Sequence, residues 1–95
     1  MHYVLARITV KPEAAATTLG LLQALVTHTR KELGCVSYEL YQQTLTPHIF
    51  QTVECWKDEA AATAHMSTPH VGAAIAAAGP LFAAPPEILA YTKAA

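Results

Sequence analysis

The chain has 95 residues, a formal net charge of −1 and 53% hydrophobic residues, against only 14% charged residues. This length predicts a single domain over residues 1–95, and the scattered Lys and Arg residues form no basic patch of the kind that binds nucleic acid. The apolar runs are too short for a membrane span or a signal peptide, so we expect neither.

The excess of apolar residues bears on assembly. A domain of this size buries roughly 60–65% of its unfolded surface, too little to hide so many apolar side chains. We therefore predict a homo-oligomer with a large apolar interface. Cys35 and Cys55 lack CxxC spacing. They indicate structural thiols of a cytoplasmic protein, with a disulfide or a redox pair as the alternative.

The first third of the chain predicts a strand and a long helix. Residues 3–10 alternate between two partly apolar faces, as in a sheet that is covered on both sides. Residues 13–33 carry apolar residues at the helical period, up to Leu33, and Gly34 suits the C′ position that ends a helix. Glu32 falls among the polar residues on the solvent side of this helix.

The middle of the chain predicts a β-hairpin. Residues 35–43 and 48–56 read as strands, and a short connection over 44–47 joins them. The side chains that share one face of each strand are Val36, Tyr38 and Leu40 in the first, and Phe50, Thr52, Glu54 and Trp56 in the second.

Two short helices and a last strand complete the chain. Asp58 suits the N-cap of a helix over residues 58–66, and Thr68 that of a helix over 69–78, which begins with a proline. A Gly-Pro pair ends the second helix, a loop covers residues 81–86, and residues 87–92 read as a strand. The order β-α-β-β-α-α-β is typical of a ferredoxin-like α+β fold, with helices on one face of an antiparallel four-stranded sheet. A second copy of the chain is the simplest cover for the other face.

The corner between the two short helices is the first candidate site. His65 and His70 bracket it, and the helix that carries His65 consists mostly of small residues. If His65 faces the sheet, the neighbouring alanines leave a space beside its ring.

Three motifs in this order resemble the antibiotic biosynthesis monooxygenase (ABM) family, in particular its small quinol monooxygenase-like branch. They are Gly34-Cys35-Val36-Ser37-Tyr38-Glu39-Leu40 after a long helix, Glu54-x-Trp56, and His65-x-x-Thr68-Pro69-His70. The resemblance covers nearly the whole chain. It implies a dimeric α+β barrel, in which two four-stranded sheets pack face to face, and a pocket between sheet and helices in each protomer.

The resemblance also implies an activity. The best-studied members oxidise phenolic or quinol-type aromatics with O2 and no bound cofactor, and one relative isomerises a small phosphorylated dione. Haem-degrading relatives need an axial histidine where this chain has Ile75, and an asparagine that its first strand lacks. We therefore do not expect haem cleavage.

The same resemblance suggests roles for individual residues. His65 matches the helix histidine that faces the pocket, and His70 matches the second histidine of the corner. Trp56 matches the tryptophan that closes the third strand, and Glu54 matches the acid two residues before it.

The chemistry needs a base and a dry pocket. A deprotonated quinol can pass an electron directly to O2, so the protein must remove a proton and stabilise the anion. We predict that His65 is the base, because an imidazole accepts protons near neutral pH. We predict that Tyr38 or His70 donates to the developing oxyanion, and that Trp56, Tyr38 and Phe50 form flat walls for an aromatic substrate.

Each assignment has a structural alternative. The residues that could be ordinary core residues are His65, Trp56 and Tyr38. Glu54 could pair with Arg7 across the sheet, and His70 could lie on the surface. His2, His28 and His48 are expected on the surface. His65 and His70 are five residues apart and no third ligand has suitable spacing, so we predict neither a metal nor another cofactor.

Two other functions remain open. The same His65 could shuttle a proton in the isomerisation of a small carbonyl compound, although a phosphorylated substrate would need a cationic pocket, for which Arg7 is the only obvious candidate on the first strand. The chain could also be a non-catalytic dimer that binds a small ligand.

Overall fold

The computed structural model describes all residues 1–95. In chain order the elements are β1 (His2–Thr9), α1 (Ala15–Thr29), β2 (Cys35–Gln42), β3 (Ile49–Trp56), α2 (Glu59–His65), α3 (Pro69–Ala78) and β4 (Glu87–Tyr91). Single 3₁₀ turns cover Pro12–Ala14 and Gly79–Leu81. The strands form one antiparallel sheet in the order β2-β3-β1-β4. The predicted ferredoxin-like α+β fold is therefore confirmed, and no helix is long and apolar enough to cross a bilayer.

The alternation of β1 and β3 decides which side of the sheet the helices cover. Val4, Ala6 and Ile8 are buried on one side of β1, whereas Arg7 on the other side is exposed. Two side-chain clusters fill the layer between the sheet and the helices. The buried members are Ile8, Val10, Ala14, Leu22 and Phe50 in the first, and Val4, Val26, Tyr38 and Trp56 in the second.

The predicted caps of the two short helices are confirmed. The Asp58 side chain accepts from the backbone N–H of Ala61, and Thr68 Oγ1 accepts from that of Val71. Each side chain thus accepts from a backbone N–H group that has no partner within the first turn of its helix. The strand boundaries differ from the predicted ones by one residue.

The predicted extent of the first helix is wrong at its C-terminal end. α1 ends at Thr29 rather than at residue 33, and Leu33 is fully exposed instead of packing on the sheet. The Arg30 guanidinium donates from Nε to the Tyr38 carbonyl at 3.0 Å and from Nη2 to Glu39 at 2.9 Å. These bonds tie the chain to β2 directly after α1, where the backbone changes to turn bonds from Lys31 N to the His28 carbonyl and from Glu32 N to the Thr29 carbonyl.

Gly34 serves a close approach rather than a left-handed helix cap. No residue of the chain has a positive φ, so the predicted C′ role is wrong. A Cβ at Gly34 would collide with the Cβ of Ala61 on α2, and the Gly34 carbonyl accepts from Lys57 N at 2.9 Å. The absent side chain therefore lets the turn before β2 lie against α2.

A β-bulge changes the start of β2. The pairing with β3 shifts between Cys35 and Ser37, and Val36 is 53% exposed. The prediction that Val36 shares the inner face with Tyr38 is therefore wrong, because the extra residue reverses the alternation. Cys35 packs against the buried cluster instead.

A chain of hydrogen bonds crosses the buried side of the sheet. Glu54 is 5% exposed, and its carboxylate accepts from Thr52 Oγ1 at 2.6 Å and from Trp56 Nε1 at 3.0 Å. Thr52 Oγ1 in turn accepts from Ala6 N at 3.1 Å. Arg7 lies on the opposite face of the sheet, so the alternative Glu54–Arg7 pair is wrong.

The approach at Gly34 predicts opposite effects for two Gly→Ala substitutions. Gly34→Ala forces the turn and α2 apart and should destabilise the fold by about 1–3 kcal/mol. Gly20→Ala is the control, since Gly20 lies exposed within α1 with nothing near its Cβ position; it should stabilise by about 0.5–1 kcal/mol. Urea unfolding measures both, and equal stabilities would contradict the close approach.

The hydrogen bonds of Thr52 predict different stabilities for two substitutions at this position. Thr52→Val keeps the shape but leaves the Ala6 N–H and one Glu54 oxygen without partners, at about 1–3 kcal/mol for each group. Thr52→Ser keeps the hydroxyl and should cost about 1 kcal/mol for the lost methyl group. If thermal unfolding finds the valine variant as stable as the serine variant, the hydroxyl does not hold this layer together.

Candidate active site

A cavity of about 90 Å³ lies between the sheet and the helices. The polar side chains that line it are Tyr38, Thr52 and His65. Its apolar lining residues are Ala6, Ile8, Leu22, Leu25, Met66, Val71, Ala74, Ile75, Ala78, Phe82, Pro86 and Ile88. No Lys, Arg, Asp or Glu side chain lines this cavity, so it suits an uncharged, largely apolar molecule.

His65 is the last residue of α2, and aromatic rings of the sheet hold it in place. It is 4% exposed, and its ring centroid lies 4.8 Å from that of Trp56 and 5.5 Å from that of Tyr38. Both neighbouring rings belong to strands, so the imidazole packs against rigid elements. The expected space does lie beside this ring, but no alanine of α2 lines it; the alanines at the cavity are Ala6 of β1 and Ala74 and Ala78 of α3.

One oxygen of Glu32 accepts hydrogen bonds from both histidines of the corner. Glu32 Oε2 lies 2.6 Å from His65 Nδ1 and 2.8 Å from His70 Nε2. A carboxylate can only accept, so the network assigns a proton to each of these two nitrogens. No Lys or Arg side chain pairs with Glu32, whose side chain is 16% exposed.

The proton on Nδ1 determines what His65 can do. In a neutral imidazole one nitrogen donates and the other accepts. With Nδ1–H donated to Glu32, Nε2 carries the lone pair, and it has no hydrogen-bond partner in the protein. Because His65 lines the cavity, this lone pair is available to a bound molecule, while Glu32 would stabilise the imidazolium that forms on proton uptake.

Tyr38 supplies a neutral hydroxyl to the same cavity. Burial raises the pKa of Tyr38 well above its ordinary value, and the nearby Glu54 carboxylate raises it further. The phenol therefore keeps its proton at neutral pH and can donate a hydrogen bond. Thr52 offers no such donor, since its proton is already used for Glu54.

The residues singled out from the sequence occupy three positions around the site. His65 and Tyr38 line the cavity. Trp56, Glu54 and Phe50 are buried but do not line it. His70 lies outside it and joins His65 through Glu32. Of the remaining histidines, His28 is exposed as expected and stacks on His70 at 5.8 Å, whereas His2 and His48 are half-buried.

Sequence reasoning missed Glu32 as a member of the site. Extending α1 to residue 33 places Glu32 on the solvent side, but the helix ends at Thr29 and the turn directs the carboxylate to α2 and α3. Glu32 also offers a third ligand atom, which the spacing along the sequence does not reveal: its oxygen and one nitrogen of each histidine lie within 4.8 Å of one another. The sequence feature that could have indicated this role is the position of Glu32 two residues before Gly34, in a chain that has two histidines at a helix corner.

Comparison with known proteins agrees with this architecture. The family model described as "Antibiotic biosynthesis monooxygenase" matches residues 1–77. The Bacillus subtilis protein named "Putative monooxygenase YcnE" is 37% identical over 84 residues, which are 88% of each chain.

Solved structures extend the similarity to the whole chain. One described as an antibiotic biosynthesis monooxygenase has a TM-score of 0.95 at 28% identity and covers 100% of both chains. Rv0793 from Mycobacterium tuberculosis has a TM-score of 0.90 at 29% identity, covering 99% of this chain and 95% of its own. The chain therefore belongs to the antibiotic biosynthesis monooxygenase (ABM) family.

Proposed function

We propose that this protein is a cofactor-independent monooxygenase that oxidises a small quinol or phenol-like aromatic with O2. The observation that carries the proposal is His65 at an apolar cavity, with Nδ1 hydrogen-bonded to Glu32 and Nε2 without a partner in the protein. A monooxygenase function also agrees with family membership and with the names of the relatives.

The first step is proton removal at Nε2 of His65. A phenol or an activated ring carbon placed against Nε2 would lose its proton to the imidazole, and Glu32 would balance the resulting positive charge. Such positioned general bases typically contribute about 10²–10⁴-fold to a rate. The second histidine, His70, positions Glu32 from the other side through its own N–H.

Tyr38 is the better of the two expected donors to the substrate anion. Its hydroxyl stays protonated and Tyr38 lines the cavity, whereas His70 does not line it and its Nε2–H is already bonded to Glu32. One well-aimed donor is worth roughly 3–4 kcal/mol of transition-state stabilisation. Trp56 and Phe50 do not line the cavity but support its lining. Trp56 packs against His65, and Phe50 belongs to the buried cluster beneath the sheet surface.

The substrate supplies the electrons, so the reaction needs no flavin. The deprotonated quinol passes two electrons to O2 and forms a carbon–oxygen bond, and the resulting peroxide anion takes the proton back from His65 to give a hydroperoxide. Loss of the ring C–H proton and of the outer oxygen as water then leaves one oxygen atom on the ring, and the quinol becomes a quinone. One O2 is consumed and one water is released.

The lining of the cavity favours this reaction over isomerisation of a phosphorylated carbonyl compound. A phosphate group would need a cationic partner, and no Lys or Arg lines the cavity. Arg7 lies on the other face of the sheet beside Gln51 and Glu87.

Oxygen consumption by the metal-stripped protein, corrected for autoxidation, tests the proposal against quinols, naphthols and anthrones. His65→Ala should lower turnover at least tenfold, within the range of a lost general base. Glu32→Gln should lower it less, because the amide oxygen still accepts from Nδ1. His48→Ala is the control, since His48 directly precedes β3 and Trp56 lies at the opposite end of that strand.

Folding of each variant is checked by thermal unfolding. Unchanged turnover in His65→Ala would remove this residue as the base. No oxygen uptake by the wild type with any substrate would contradict the oxygenase, and stabilisation by a ligand without turnover would then favour the binding dimer.

We further propose that the protein is a cytoplasmic homodimer joined through the open face of the sheet. The exposed apolar side chains on this face are Tyr41, Val53, Leu89 and Tyr91, which are 58%, 39%, 53% and 48% accessible. An apolar patch of this kind on a small domain indicates a partner. The cytoplasmic location rests on Cys35 and Cys55, which are both free.

Sedimentation at micromolar concentration should find the wild type as a dimer. Val53→Glu places a carboxylate at the centre of the open face, where burial without a partner costs several kcal/mol, so the dissociation constant should rise about 100-fold or more. Ala76→Glu, on the exposed side of α3, is the matched control and should remain dimeric. A monomeric wild type would refute the dimer.

A further inference from the structure

The shared carboxylate brings together three potential metal ligands. Glu32 lies in the turn after α1, His65 ends α2, and His70 lies in the first turn of α3. Glu32 Oε2, His65 Nδ1 and His70 Nε2 all lie within 4.8 Å of one another. Three separate elements therefore hold two imidazole nitrogens and one carboxylate oxygen in a compact group.

The three ligand atoms lie close enough together to converge on one metal ion. The ligand atoms of a tetrahedral zinc ion with bonds near 2.1 Å are roughly 3.4 Å apart. The two nitrogens lie 2.6 and 2.8 Å from Glu32 Oε2. Entry of an ion would lengthen both of these distances and adjust the separation of the two nitrogens, which lie within 4.8 Å of each other.

The charge of the group also favours a cation. Glu32 is mostly buried, and its ion-pair partners are the two histidines alone. No Lys or Arg side chain pairs with Glu32, so no fixed cation neutralises its carboxylate. A divalent cation would neutralise it, and the partly exposed Glu32 and His70, with side chains 16% and 20% accessible, leave a route for the ion.

We propose that Glu32, His65 and His70 form a binding site for a divalent transition-metal ion of the zinc class. Two imidazoles and one carboxylate suit Zn²⁺, Co²⁺ or Ni²⁺ better than Ca²⁺ or Mg²⁺, which prefer oxygen ligands throughout. The remaining coordination positions belong to water.

Metal binding would oppose the proton chemistry at His65. Coordination at Nδ1 uses the lone pair of that nitrogen, so the ring proton must move to Nε2. The cavity then receives an N–H donor in place of a base. The metal-bound protein is therefore the resting form, and the metal-free protein is the form that consumes oxygen. This consequence rests on the proposed function, whereas metal binding itself does not.

Titration of the metal-stripped protein with Co²⁺, followed by visible absorption, tests the site without reference to activity. One ion per chain should bind with a ligand-field band, and Zn²⁺ should displace it. Glu32→Gln and His70→Ala should weaken binding by at least about 100-fold, since loss of an outer partner alone costs about 10–100-fold. His48→Ala should bind like the wild type. Trp56 fluorescence and thermal unfolding verify that each variant is folded.

Two results would overturn the site: a wild type that does not bind Co²⁺, or folded Glu32→Gln and His70→Ala variants that bind it as the wild type does. Oxygen uptake is the second measurement. Saturating Zn²⁺ should suppress oxygen uptake, and a chelator should restore it. Zinc binding that leaves oxygen uptake unchanged would contradict the claim that the metal-bound protein is the resting form. A protein that binds zinc but oxidises no substrate would refute the oxygenase and leave the metal site standing.

Discussion

A single carboxylate oxygen joins segments of this chain that are 33 and 38 residues apart in sequence. Glu32 Oε2 accepts from His65 and from His70, and through them it connects the turn after α1 to both short helices. Because the carboxylate only accepts, it determines where the protons of both rings lie. The chemistry available in the cavity follows from that assignment, since it leaves Nε2 of His65 as the one free basic nitrogen there.

The rest of the fold supports this geometry in two layers. An apolar layer provides the cavity and excludes charged side chains from it. A polar layer behind it consists of Thr52, Glu54 and Trp56, joined by hydrogen bonds across the sheet. Trp56 belongs to both layers, because its indole nitrogen bonds to Glu54 while its ring packs on His65. Substitutions of Glu54 or Trp56, which do not line the cavity, are therefore expected to affect the base without contacting a substrate.

The fold and half of the site could be predicted from local patterns. Period-two alternation, the Asp58 and Thr68 caps and the Thr-Pro helix start depend on neighbouring residues, and the element order follows from them. The histidine corner was found in the same way. Glu32 could not be found in this way, because its role depends on where α1 ends, and the tertiary contact of Arg30 with β2 at that end is not encoded in the helical period. The bulge at Val36 likewise reflects pairing between strands, which alternation along one strand does not encode.

The approach of Gly34 to Ala61 has a consequence for how this sequence can vary. The turn that carries Glu32 and the helix that carries His65 touch where both residues are small. The two positions share one fixed volume, so an enlargement at either one is tolerated only with a reduction at the other, and their energetic effects are not additive. Substitutions at these two positions are therefore expected to occur together. Relatives that keep the carboxylate beside the imidazole should change residue 61 whenever residue 34 changes in size.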